Sequence, residues 1–146
     1  MAFEIEHKYL VKDTSYRDMA AEIILILQGY IDRTPERTVR IRIIDDKGFI
    51  TVKGKTIGDT RLEFEYEIPL EDARQMMNLC LPGIIEKRRY VVPFEGFVWE
   101  VDEFAGTRKG LVLAEIELPD SSTPYTLPPF IGENVTGRPE FYNSNL

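Results

Sequence analysis

Glu4-Ile5-Glu6-His7-Lys8-Tyr9-Leu10 sets two carboxylates and an ammonium at every second position near the start of the chain. Alternate side chains of an extended strand point to opposite faces. Glu4, Glu6 and Lys8 therefore share one face, and Ile5, His7 and Tyr9 the other. The first face carries too much charge for an apolar core, so the fold turns on whether it looks at bulk water or at an enclosed space.

The same alternation recurs along the chain. Residues 38–44 put Val39, Ile41 and Ile43 opposite Arg40 and Arg42. Asp45-Asp46-Lys47-Gly48 is a turn signal, which predicts an antiparallel return over residues 49–55 that groups Thr51, Lys53 and Lys55. Residues 60–68 set Glu63, Glu65 and Glu67 against Leu62, Phe64, Tyr66 and Ile68. Three more strands are expected: 85–92 with Lys87 and Arg89, 96–104 with Glu100 and Asp102, and 111–118 with Glu115 and Glu117. Residues 24–31 are rich enough in β-branched side chains to be a strand, although they follow a predicted short helix capped by Ser15 with Asp18 in the reciprocal position. Residues 70–80 have helical spacing through Ala73, Met76, Met77 and Cys80, stopped by Pro82-Gly83. From Pro119 onward, frequent Pro, Ser, Thr and Gly predict an irregular tail packed against the rest.

With 146 residues, 43% hydrophobic and 29% charged, the chain reads as one soluble domain over residues 1–146. It shows no basic leader followed by an apolar run, and its longest apolar stretch, 23–27, is too short to cross a bilayer, which predicts a cytoplasmic protein with no membrane partner. The single Cys80 cannot form an internal disulfide, and one histidine is too few for a zinc site of Cys and His ligands. A net charge of -7 disfavours a protein that tracks a nucleic-acid backbone.

Collected together, the polar faces hold Lys8, Arg40, Arg42, Lys53, Lys55, Lys87 and Arg89 beside Glu4, Glu6, Glu63, Glu65, Glu67, Glu100, Asp102, Glu115 and Glu117. Two arrangements satisfy this pattern. An open antiparallel sheet could turn its charged face to water and hold it by cross-strand pairs. Alternatively the sheet could close, charged face inward, around a wet channel. Enclosed cations require anions of high charge density, because a buried unpaired charge is costly. A polyphosphate suits them: Arg forks match phosphate oxygens, and carboxylates can hold Mg²⁺ or Mn²⁺, which in turn bind phosphate.

The ordered set Glu4-x-Glu6-x-Lys8, Gln28-Gly29-Tyr30, Arg40-x-Arg42, Thr51-x-Lys53-x-Lys55, Arg61-x-Glu63-x-Glu65, Glu86-Lys87-x-Arg89, Glu100-Val101-Asp102, Glu115-Ile116-Glu117 and the tail Val135-Thr136-Gly137 with Tyr142 and Asn143 resembles the CYTH superfamily of triphosphate tunnel metalloenzymes. The resemblance implies an α+β fold: a closed eight-stranded antiparallel β-barrel with a charged interior and helices packed outside. It implies Lys8, Arg40, Arg42, Lys53, Lys55, Lys87 and Arg89 as the substrate-binding set. It also implies Glu4, Glu6, Glu63, Glu65, Asp102, Glu115 and Glu117 as metal ligands or holders of the cations, with the catalytic carboxylates among Glu63, Asp102, Glu115 and Glu117. The expected activity is Mg²⁺- or Mn²⁺-dependent hydrolysis of inorganic tripolyphosphate to pyrophosphate and phosphate. A nucleoside or thiamine triphosphate enzyme, adenylate cyclase included, and a noncatalytic polyphosphate-binding module are the alternatives. The expected partner is a small polyphosphate or organic triphosphate, and an exposed barrel flank offers a surface for a homodimer. His7, on the apolar side, is expected to be packed or helix-facing rather than catalytic, and Trp99, opposite Glu100 and Asp102, to be buried under a helix rather than stacked on a base.

Overall fold

Alternation persists through eight strands, and the sheet they build closes on itself. The structure, a computed structural model, describes residues 2–146. Strands β1 (Phe3–Val11), β2 (Glu22–Asp32), β3 (Thr38–Ile44), β4 (Lys47–Lys53), β5 (Thr60–Ile68), β6 (Ile85–Phe94), β7 (Phe97–Phe104) and β8 (Val112–Glu117) are joined by a short β9 (Ile131–Asn134) from the tail. Helices α1 (Tyr16–Met19) and α2 (Leu70–Met77) lie outside. The antiparallel order is β5-β4-β3-β2-β6-β7-β8-β1, and β1 pairs back to β5 to complete the barrel. That closing seam is short: Phe3, Glu4 and Ile5 face Leu62, Arg61 and Thr60. Farther along β1, Tyr9 and Val11 pair with β9 instead.

The ambiguous run after α1 is wholly strand. Both edges of β2 are satisfied, Gln28 facing Arg42 of β3 and Ile26 facing Lys87 of β6, so its β-branched side chains go into a ladder rather than a helix. Helix α1 accordingly stops after one turn. Ser15 does not cap it: its amide and hydroxyl both turn back to Asp13 Oδ1, at 2.9 and 2.6 Å. The β3–β4 turn uses Asp45 and Asp46, with Asp45 at φ +53°. Gly48 belongs to β4, and its role is one of space: a Cβ there would come within 2.4 Å of Ala73 Cβ, so a glycine lets α2 lie directly on the strand.

The tail, more than the helices, covers the barrel. Trp99, Val101, Ala114 and Ile116 are fully buried, in a cluster with Tyr9, Tyr16 and Phe130. The Trp99 ring stands 5.7 Å from both Tyr9 and the tail residue Tyr125. Burying a large apolar side chain such as Val101 or Ile116 contributes roughly 1.5–3 kcal/mol. His7 likewise packs on the tail, its Nδ1 lying 2.7 Å from Tyr125 Oη. The outer flank of β1, β4 and β5 stays open, leaving Phe3, Val52, Leu62, Phe64 and Tyr66 exposed. Among the described residues no helix is long and apolar enough to cross a membrane.

Candidate active site

The inward residues line a cavity of about 250 Å³, just below the usual range of small-molecule sites, roughly 300–1,000 Å³. Lys8, Arg40, Arg42, Lys53, Lys87 and Arg89 line it together with Glu4, Glu6, Glu63, Glu65, Glu100, Glu115 and Glu117. Strand geometry accounts for this convergence. Lys8 faces Glu115 and Glu6 faces Glu117 across β1 and β8, while Lys53 faces Glu63 across β4 and β5.

Two predicted residues lie elsewhere. Lys55 is exposed and off the lining, because β4 ends at Lys53 and the chain leaves the barrel at Gly54. Asp102 sits beneath the lining, its side chain 2% exposed. It receives Lys87 Nζ at 2.8 Å and is gripped by Arg89 through Nε and Nη2 at 2.8 and 2.9 Å. Burial alone would push its carboxyl up, yet Lys87 and Arg89 hold it well below the usual carboxylate range. Burial pulls the Lys87 ammonium down to about 7 in spite of Asp102. In this triad Asp102 is ionised, since the cationic groups in direct contact with it outweigh its desolvation.

Most lumen charges are paired in the same way. Lys8 Nζ is 3.3 Å from Glu115, Arg40 3.1 Å from Glu65, and Arg89 3.1 Å from Glu100. Lys53 lies between Glu4 and Glu63, at 3.0 and 3.2 Å. Burial pushes the Glu63 carboxyl up to about 7, with the neighbouring Glu4 adding to the rise, while Glu4 itself is held low against its own burial by Lys53.

Arg42, Glu6 and Glu117 differ. Among the described residues Arg42 has no carboxylate within ion-pair distance; its Nε and Nη2 bond instead to the neutral Gln28 Oε1, at 2.9 and 2.6 Å. Burial, with Arg40 and Arg89 nearby, lowers its pKa to about 9. Glu6 and Glu117, directly opposite one another, form no ion pair among the described residues either. Burial raises the Glu6 carboxyl well above its ordinary value, with Glu115 and Glu4 adding to the effect, and burial together with Glu4 and Glu100 raises Glu117. Arg40 Nε is also fully buried, with no hydrogen-bond acceptor among the described residues.

Comparison with known proteins now places the chain. The family model for the CYTH domain matches residues 2–142. The chain belongs to the CYTH family. This CYTH chain is 49% identical over 147 residues to an inorganic triphosphatase of Acetivibrio thermocellus, covering 100% of itself and 94% of that protein. It is 30% identical over 148 residues to an inorganic triphosphatase of Nitrosomonas europaea, at 98% and 95% coverage. The crystal structure of an inorganic triphosphatase superposes with a TM-score of 0.67 at 27% identity, over 97% of this CYTH chain and 95% of the other.

The barrel also brings residues to the cavity that alternation could not announce. Asp59, from the β4–β5 connection, and Thr136, Tyr142 and Asn143, from the tail, line it. Arg61 lines it too, its Nε donating to Gly54 O at 3.0 Å. The signal for Arg61 was present, since it precedes Glu63 by two in β5. The loop and tail residues carried no such period. Tyr30 lines the cavity while buried, so it both packs and faces the lumen. Glu67 is exposed, off the lining.

CYTH membership implies dependence on a divalent metal. The donor set suits a hard cation, since Glu6, Glu117 and Glu63 offer only oxygen ligands and burial with neighbouring carboxylates raises all three. Among the described residues no three acidic, His or Cys side chains are already gathered as a metal-ligand cluster.

Proposed function

We propose that residues 1–146 act as one domain that hydrolyses inorganic tripolyphosphate to pyrophosphate and phosphate with Mg²⁺ or Mn²⁺. The observation that carries this reading is that one cavity holds an uncompensated cation and uncompensated carboxylates side by side. Among the described residues Arg42 has no acid partner within ion-pair distance, and Glu6 and Glu117 have no basic ones. A simple anion would suit the first and be repelled by the others; a metal polyphosphate suits both. The names of the two relatives support the choice of substrate.

In this reading Arg42, Arg40, Lys8, Lys53, Lys87 and Arg89 bind the phosphate oxygens, with Arg42 and the free Nε of Arg40 as the first donors. Lys55 drops out of the binding set because it lies off the lining. Asp102 holds Lys87 and Arg89 in place rather than touching the ligand. Glu4, Glu6, Glu63, Glu117 and, beside them, Glu65 and Glu115 would hold the metal or its coordinated waters. Bound there, a divalent cation supplies neutralisation of phosphate oxygens and a lowered pKa for water. Glu63, with a carboxyl near 7, suits the removal of a proton from the attacking water, and Glu117 its orientation.

The test is purified protein with Mg²⁺ or Mn²⁺ against tripolyphosphate, ATP and thiamine triphosphate, measuring orthophosphate and cyclic AMP. We expect tripolyphosphate to give the largest kcat/KM. Cyclic AMP as the main product, or binding without turnover, would end the hydrolytic reading.

A further inference from the structure

Gln28 is fully buried in β2 and directly opposite Arg42 of β3. Besides accepting from Arg42, it donates through Nε2 to Asn143 Oδ1 at 3.1 Å. That same oxygen accepts from Lys87 Nζ at 2.8 Å. Guanidinium and ammonium groups only donate, so the network admits a single assignment. Asn143 must present its oxygen to Lys87, Gln28 must present its nitrogen to Asn143, and the Gln28 oxygen is left for Arg42.

The tail is fastened where this bridge needs it. Phe141 O accepts from Lys8 Nζ at 3.0 Å, and Leu146 O accepts from Arg108 Nη2 at 2.7 Å. Phe141 and Leu146 pack on Tyr30, Ile85, Phe104 and Leu113, which holds Asn143 against the end of the cavity.

We infer that Gln28 and Asn143 are positioning residues, a neutral amide bridge that aims Arg42 and Lys87 at the phosphate chain while leaving the charge of Arg42 uncancelled. This inference rests on the reading of the cavity as a triphosphate site. The choice of side chain supports it. Lys8, Arg40, Lys53, Lys87 and Arg89 are each held by a carboxylate, while Arg61 donates to Gly54 O and Thr38 Oγ1; a glutamate at position 28 would occupy the same space and hold Arg42 more tightly. It would also neutralise the guanidinium. An amide orients through its dipole and leaves the net charge for an incoming anion.

Gln28→Glu separates positioning from mere support of the fold. Melting temperature, the Kd for tripolyphosphate by calorimetry with Mn²⁺, and kcat and KM are measured on the full chain. We expect Gln28→Glu to melt at or above wild type while Kd and KM rise about tenfold or more, the scale of one lost charge-assisted hydrogen bond, with kcat changing less. Asn143→Ala, which leaves the Gln28–Arg42 contact in place, should raise Kd about threefold, on the scale of one ordinary hydrogen bond. It carries the same measurement if Gln28→Glu fails to fold. A Kd within twofold of wild type for the folded Gln28→Glu protein, or failing that for Asn143→Ala, would overturn the inference. Should wild type bind tripolyphosphate without hydrolysing it, the hydrolytic reading fails, and the ratio of Kd values still decides for or against the bridge.

Discussion

The two faces of β1 carry polar networks built to opposite rules. Outside, His7 lies 2.8 Å from Asp59 Oδ2 and 2.7 Å from Tyr125 Oη. Asp59 Oδ1 takes hydroxyls from Thr60 and Ser121, at 2.9 and 2.8 Å, and Tyr125 meets Tyr9. A second outer clasp joins Glu103 to both Tyr16 and Arg17. Every side chain in these clasps has a partner. Inside, one residue away on the same strand, Glu6 has no basic partner within ion-pair distance among the described residues, and across the lumen Arg42 has an amide in place of an acid. A satisfied network fixes tail to barrel. An unsatisfied one keeps charge available, and the difference separates groups that hold the fold from groups that face a ligand.

The largest way to probe that contrast is within the lumen, at its most completely paired acid. Asp102→Asn leaves Lys87 and Arg89 buried without their shared countercharge and should lower unfolding free energy by about 3–5 kcal/mol, read by urea denaturation. Arg42→Ala should do the reverse. Its stability should stay near wild type because an uncompensated buried charge is removed, while kcat/KM for tripolyphosphate falls about 100-fold, or about 2.7 kcal/mol. A parallel loss of stability and no loss of rate would place Arg42 among the structural groups. Glu6→Gln should raise the Mn²⁺ concentration for half-maximal activity about tenfold and leave the metal-free protein at least as stable, since it removes a carboxylate crowded by Glu115 and Glu4.

The smallest effect belongs to the outer clasp. Glu103→Gln should cost about 1 kcal/mol at pH 7 and leave tripolyphosphate turnover unchanged. Burial tends to raise the Glu103 carboxyl, but its bonds to Arg17 and Tyr16 lower it overall. A carboxyl lowered in the folded state contributes its stability above the ordinary carboxylate range and loses it as pH falls. The gap between Glu103→Gln and wild type should therefore shrink below about pH 4.5, as melting curves across pH would show.

The lumen's charged ring was readable from alternation alone because strand side chains have a strict period of two. Glu4, Glu6 and Lys8, or Arg40 and Arg42, could face the lumen only as groups. Closure was not readable that way, since an open sheet gives the same alternation; it came through the resemblance carried by the ordered motifs. Lys55 shows the cost of extending a period past Gly54, where the strand has ended. For the opposite reason alternation could not place Asp59, or Asn143, which stands in the tail motif without a role. They reach the cavity from tail and loop, where tertiary packing rather than periodicity sets direction. Pairing within the lumen was likewise invisible, because which acid meets which base depends on strand stagger: Lys53 meets Glu4 across a seam that joins distant parts of the chain.

That seam has a mechanical consequence. Among the described residues three residue pairs join β1 to β5 against seven between β3 and β4, the shortest ladder of the closed tube, and a zip fails first where it has the fewest teeth. Parting there would unroll the cylinder into a curved ribbon with its remaining ladders intact, and would carry Glu4 away from Lys53. Amide exchange faster at residues 3–5 than along β3 would register such breathing, and cargo that ties those two edges together would slow it.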